Sequence, residues 1–252
     1  MYKYLVFLFL FLACSPPKSK FSANPAAPGF DHEGSDARAV AIADEVMQAQ
    51  GGRGAYDAIR YLSWNFFGSR TLLWDKFTGN VRIDWLKKPQ QVVVNINNNT
   101  GKVMLNGVEQ THPDSLAKYL KIGKEVWIND SYWLVMPFKL KDSGVTLKYV
   151  GEGKTESGAA ADILQLTFKG VGVTPENKYH IWVDKTSKLI SQWAFFDKYG
   201  DEKPRFTTPW DDYKTAAPIP VKFSGSRGKD RSMEPVATPQ TVPSGIFELK
   251  NK

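Results

Sequence analysis

The residues able to do chemistry are few and scattered. The chain has one cysteine, Cys14, and three histidines, His32, His112 and His180. A lone thiol cannot close an internal disulfide, and it is too solitary for a structural zinc site. No two histidines share a metal-ligand spacing such as His-x3-His. Paired carboxylates can run glycoside hydrolysis. Asp84, Asp162, Asp184 and Asp197, however, fall inside or at the ends of expected strands, where aspartate ordinarily closes turns. No Gly-x-Ser-x-Gly elbow occurs. Gly51-Gly52-Arg53-Gly54 lacks the preceding strand and the Lys-Ser/Thr ending of a phosphate loop. No catalytic residue, metal or cofactor is expected, and the chain is not expected to be an enzyme.

The position of Cys14 is the strongest chemical signal. Lys3 precedes an unbroken apolar run, Leu5 to Ala13. That run is too short to span a bilayer, which takes about 20 residues, and it suits the apolar core of a secretory signal. It ends in Leu10-Phe11-Leu12-Ala13-Cys14-Ser15, which resembles a bacterial lipoprotein signal peptide. The resemblance implies cleavage after Ala13, a diacylglyceryl thioether on Cys14 and acylation of the new amine. Several acyl chains make a stable anchor, each buried methylene adding roughly 0.8 kcal/mol. Residues 1–13 are thus expected to be a signal peptide and Cys14 the lipidated first residue. Ser15-Pro16-Pro17-Lys18 lack the Asp that resembles an inner-membrane retention signal, and no acidic run follows. An outer-membrane position facing the periplasm is expected.

Residues 14–34 are rich in Pro, Ser, Ala and Lys without periodicity, so they are expected to be a flexible tether. Residues 35–252 show no second change in composition and suit one well-buried domain. The formal net charge of +7 is diffuse, with no long basic block. Such a surface suits anionic headgroups and equally suits plain solvation with no ligand; no nucleic-acid partner is expected. A monomer is expected.

Ser35 to Gln50 carries Ala39, Ile42, Ala43, Val46 and Met47 on one helical stripe, with Ser35 or Asp36 able to cap it and Gly51-Gly52 to end it. A short helical turn follows at Gly54 to Arg60. Alternating segments come next at 61–67, 71–77, 80–86, 91–97 and 102–106, joined by connections too short for parallel crossovers. Residues 112–137 interrupt them with one or two helices, broken near Gly123 or Asn129-Asp130, and Phe138 to Asp142 are expected to be a loop. Strands resume at 145–150, 161–168, 178–184, 189–196, 204–213 and 219–224. A long loop from Arg227 to Ser244 then leads to a last apolar segment, Ile246 to Leu249. The expected fold is mostly β (α+β): an open antiparallel half-barrel of about ten or eleven strands with helices packed in its concave face, which leaves few exposed edges.

In this order the chain resembles the LolA/LolB-like lipoprotein-carrier superfamily, and most closely uncharacterised lipoproteins of the Bacteroidetes type. The resemblance rests on the lipobox and on the helix end Val46-Met47-Gln48-Ala49-Gln50-Gly51-Gly52. It continues through Tyr56, Ile59 and Leu62-Ser63-Trp64-Asn65-Phe66, and through Tyr179-His180-Ile181-Trp182-Val183-Asp184 with Lys188-Leu189-Ile190. It implies a half-barrel with a helical lid over an apolar cavity that takes acyl chains without chemistry. A soluble carrier has no lipid anchor, so Cys14 points to an anchored, acceptor-like form. Phe138 and Leu140 are the candidates for a protruding apolar loop.

Eight Trp and fifteen Phe supply the means to line such a cavity. Trp64, Phe66, Trp74, Ile83, Trp85, Ile181, Trp193 and Phe195 sit on expected strands, and Trp127 and Trp133 on the inserted helical segment. An open concave sheet must be filled by side chains or by a ligand. Two functions follow as expectations. One is an anchored, non-enzymatic protein whose cavity binds a lipid or lipoprotein acyl chain, in envelope transport or sorting. The other is a periplasmic or surface module that binds glycan or protein with the same fold.

Overall fold

The computed structural model describes residues 24–172 and 174–249. The signal segment, Cys14 and the first part of the expected tether lie outside them. Among the described residues are three α-helices: α1 (Ala37–Ala49), α2 (Arg53–Ala58) and α3 (Pro113–Val135). No described helix is long and apolar enough to cross a membrane.

The first sheet is a meander of β1 (Tyr61–Phe66), β2 (Arg70–Asp75), β3 (Asn80–Trp85), β4 (Gln90–Asn95), β5 (Gly101–Leu105) and β6 (Val108–Glu109), paired in chain order and antiparallel. The second runs β7 (Val145–Lys154), β8 (Ala160–Phe168), β9 (Lys178–Asp184), β10 (Ile190–Phe196) and β11 (Phe206–Pro209), also antiparallel neighbours in order. A hairpin of β12 (Asp211–Ala216) and β13 (Val221–Ser226) completes the strands. The expected single strand over 204–213 is bent at buried Trp210. It pairs with β10 before the bend and with β13 after it.

The tail joins the pieces. The Asn65 amide donates to the Met233 carbonyl at 3.1 Å, and the Met233 amide donates to the Gly225 carbonyl at 2.8 Å. Ser63 and Ala237 exchange both backbone bonds at 2.9 Å. Residues 232–237, expected to be loop, are therefore a strap between the edges of β1 and β13. Ile246 to Leu249 is not a strand: Phe247 and Leu249 pack on Val93 and Met104, which face away from α3.

The outer edge of β7 is covered too. The Asp31 amide donates to the Val145 carbonyl at 3.1 Å, and the Asp36 amide to that of Leu147 at 2.8 Å. Phe30 is buried, and the Ala27 amide donates to the Lys141 carbonyl at 2.9 Å. Residues 24–34, assigned to the tether by composition, are laid against the domain. Asp36 stands at the α1 N-cap, its carbonyl accepting the Val40 amide at 3.0 Å, but its side chain does not cap the helix; the carboxylate accepts the Tyr149 amide at 2.9 Å instead. Gly51 and Gly52 end α1 with φ of 110° and 89°.

Residues 112–137 form one helix, not two. Gly123 sits mid-helix because α3 crosses β4 closely: a Cβ there would lie 2.7 Å from Val92 Cγ1. Asn129 and Asp130 do not break it, because Asp130 is fixed by Arg70. A 3-10 turn, Met136–Lys139, follows. Phe138 and Leu140, the candidates for a protruding loop, are fully buried.

Two cores result. One joins α2, α3 and the first sheet around Leu62, Trp64 and Ile83. The other joins α1 to the second sheet around Val46, Leu166 and Ile181. Trp133 of α3 packs against both. The architecture is thus mostly β, antiparallel and open, with α3 laid against its concave face.

Candidate ligand groove

The second sheet is longer than the cover that α3 and α1 provide, and the remainder is a groove. On β8 to β11, period-two alternation sends Phe168, Tyr179, Trp193, Phe195 and Phe206 toward α3. From α3, Trp127, Tyr132 and Trp133 face them. Trp133 meets Trp193 edge-on at 4.7 Å between centroids, and Tyr132 meets Phe168 at 6.3 Å and Tyr179 at 5.7 Å.

The space between has two lobes. The larger, about 710 Å³, lies between Trp127, Ile128, Tyr132, Val145, Phe168 and Val171. The smaller, about 330 Å³, lies between Trp133, Trp193, Phe195, Phe206 and Trp210. Asn129, Tyr132, Thr174 and Tyr179 border both. Volumes of this size suit small apolar ligands. The rim of the larger lobe carries Glu125 and the ion pair of Lys139 with Asp142.

Of the ten residues expected to line a cavity, Trp127, Trp133, Trp193 and Phe195 border this groove. Trp64, Phe66 and Ile83 lie in the first core, and Ile181 in the second. Trp74 stacks edge-on against Trp127 at 5.1 Å, behind the groove wall, and Trp85 packs at the margin of the first core. Under the first sheet, α3 itself fills the concavity. Sequence reasoning missed Tyr132, Phe168, Tyr179, Phe206 and Trp210. The same parity that picked out Trp193 would have found Tyr179, Phe206 and Phe168.

Polar atoms in the walls are unevenly satisfied. The Tyr132 hydroxyl and the indole Nε1 of Trp127, Trp193 and Trp210 are buried without a hydrogen-bond partner among the described residues. Burial pushes the Tyr132 phenol well above its usual range, and that of Tyr179 upward. Behind the smaller lobe, Arg227 stacks 3.4 Å over the Trp210 ring. It donates to Ser224 Oγ and the Ser226 carbonyl at 2.6 Å each, and to the Trp133 carbonyl. Burial lowers its pKa to about 9.

Among the described residues no cluster of three or more His, Cys, Asp or Glu could hold a metal. His180 lies 3.3 Å from Gln165 Oε1 on the outer face, and burial lowers its pKa to about 4. Asp184 closes its turn, accepting from the Thr186 and Ser187 amides at 3.1 and 2.7 Å.

Fold and site together define a helix-filled antiparallel half-barrel with an aromatic groove beside the helix. No family model matches the chain, and no curated protein matches it. Among solved structures the chain is similar to a DUF1329 family protein from Desulfovibrio piger (14% identity, 84% of this chain and 99% of that one, TM-score 0.43). It is similar to a LolA superfamily protein from Nitrosomonas europaea (9%, 83% and 96%, TM-score 0.38). It is also similar to a MucB solved in complex with MucA (14%, 82% and 66%, TM-score 0.25). The fold described above rests on strand pairing and the seating of α3, not on these likenesses.

Proposed function

We propose that this chain is a non-enzymatic, membrane-anchored binding protein that holds a lipid or lipoprotein acyl chain in the groove beside α3. It would serve lipid or lipoprotein transport or sorting in the bacterial envelope, held by lipidated Cys14 at the outer membrane and facing the periplasm. The observation that carries this reading is the larger lobe, about 710 Å³ between α3 and the second sheet, walled by side chains that would otherwise meet water. Burying an acyl chain there would remove apolar surface at roughly 25 cal/mol per Å².

Trp127, Trp133, Trp193 and Trp210 border the groove, so a lipid with brominated chains should quench their emission. Native mass spectrometry of protein extracted from bacterial membranes should show a bound lipid. Absence of both signals would overturn the reading. Glycan binding without lipid binding would favour the module alternative.

A further inference from the structure

The two lobes of the groove differ in kind. The larger carries Glu125, Lys139 and Asp142 on its rim. No charged side chain lines the smaller, about 330 Å³. Its walls are aromatic: Trp193 meets Trp133, Phe206 and Trp210 at interplanar angles of 74°, 72° and 72°. Rings crossed in this way form the sides of a box.

Amides and hydroxyls complete that box, and the protein does not use them up. Asn129 turns its amide nitrogen to Asp130 Oδ1 at 2.9 Å. Asp130 is held in turn by Arg70, and a flipped amide would set its oxygen against the carboxylate, so the Asn129 oxygen is kept as an acceptor. Asn177 is buried and gives its amide nitrogen to Thr174 Oγ1 at 2.6 Å. Among the described residues neither amide oxygen accepts a hydrogen bond, and the Thr174 and Tyr179 hydroxyls donate none. All four groups border the smaller lobe. The Tyr132 hydroxyl is walled in, whereas Asn129 and Thr174 are exposed.

This lining selects by chemistry. A hydrocarbon filling the lobe would leave two amide oxygens and two hydroxyls unpaired, with a desolvation penalty for each. An ion would find no opposite charge in the lining, and Arg227, stacked 3.4 Å over the Trp210 ring, further disfavours a cation. A pyranose ring offers C–H groups to aromatic faces and hydroxyls to amide oxygens.

We infer that the smaller lobe is a binding site for a neutral mono- or disaccharide, seated against the aromatic wall with its hydroxyls bonded by Asn129, Asn177, Thr174 and Tyr179. The site needs no acyl chain and stands apart from the reading of the larger lobe.

The test titrates the full chain with cellobiose, maltose and N,N′-diacetylchitobiose, and with cyclohexanol as an apolar ring of similar width, read by tryptophan emission and calorimetry. At least one of the sugars should bind saturably and shift the emission. Asn129→Ala and Asn177→Ala should each weaken it about tenfold, the scale of one buried hydrogen bond, while still unfolding cooperatively. Binding of none of the sugars, tighter binding of cyclohexanol than of any sugar, or a sugar affinity unchanged in both variants would each overturn the inference. Quenching by brominated lipid reads the larger lobe separately and stands or falls on its own.

Discussion

Arg70 of β2 grips Asp130 of α3 with two parallel hydrogen bonds, Nε to Oδ2 at 2.7 Å and Nη2 to Oδ1 at 3.0 Å. Asp130 is fully buried and Arg70 mostly so. The pair fixes the roll of α3, and therefore which of its side chains face the groove. Asn129, the residue before Asp130, borders both lobes.

Arg70→Met should destabilise the protein by about 3–5 kcal/mol, since it leaves a buried carboxylate without its partner. Burial outweighs the attraction of Arg70 and raises the Asp130 pKa. The folded state then keeps a proton that the unfolded chain has lost. Stability from this group falls as pH rises from the ordinary carboxylate range through the raised pKa, and is level above it. Arg70→Met should widen that falling window and Asp130→Asn should remove it. Urea denaturation between pH 4 and pH 8 reads both; identical pH slopes in all three proteins would refute the account.

Gly123→Ala should lower stability, although alanine is the better helix former by about 1 kcal/mol. Its Cβ would sit 2.7 Å from Val92 Cγ1 and 3.5 Å from Val94 Cγ1, inside a packed face. Overpacking of this kind costs about 1–3 kcal/mol. Thermal unfolding of Gly123→Ala against Gly123→Ala/Val92→Ala checks it: the second change should recover the loss caused by the clash.

The strands and α1 were legible because their burial follows from local period. Leu62, Trp64 and Phe66 alternate with Ser63 and Asn65, and the α1 stripe repeats at helical spacing. Alternation shows which face is concave, but not what fills it. Trp64 and Trp193 read alike, yet one lies under α3 and α2 in the core and the other beside the groove. The unity of α3 was hidden because Gly123 and Asn129-Asp130 are break signals overridden by contacts with β4 and β2. The docked segment 24–34 and the strap 232–237 were hidden for another reason. Each runs along a strand edge on backbone hydrogen bonds and buries a single large side chain, Phe30 or Met233, too little to make a periodic pattern.

The strap makes its own prediction. Ala237 donates its amide to the Ser63 carbonyl at 2.9 Å, and proline has no such donor. Ala237→Pro should weaken the strap by about 1–3 kcal/mol and expose the edge of β1. Open edges template association, so hydrogen exchange should rise at Ser63 and Asn65 and light scattering should grow on storage. Unchanged exchange at Ser63 would show that the strap does not protect the edge.

Arg227 is a second fully buried charge, and no carboxylate faces it within ion-pair distance among the described residues. Its guanidinium is held by the Ser224 hydroxyl, the Ser226 and Trp133 carbonyls and the Trp210 ring. The Trp133 carbonyl lies at the C-terminal end of α3, where the helix dipole is negative and a cation is favoured. Arg227→Met would remove a costly buried charge but leave those carbonyls unpaired, at about 1–3 kcal/mol for each unsatisfied group. The net change should be destabilising. Arg227→Ala should lose more, because it also opens a cavity against Trp210. At pH 7 the guanidinium keeps its proton although burial lowers its pKa. Urea denaturation of the wild type, Arg227→Met and Arg227→Ala at pH 7 measures the differences, and an Arg227→Met protein as stable as the wild type would show that the cost of burying the charge cancels the bonds it makes.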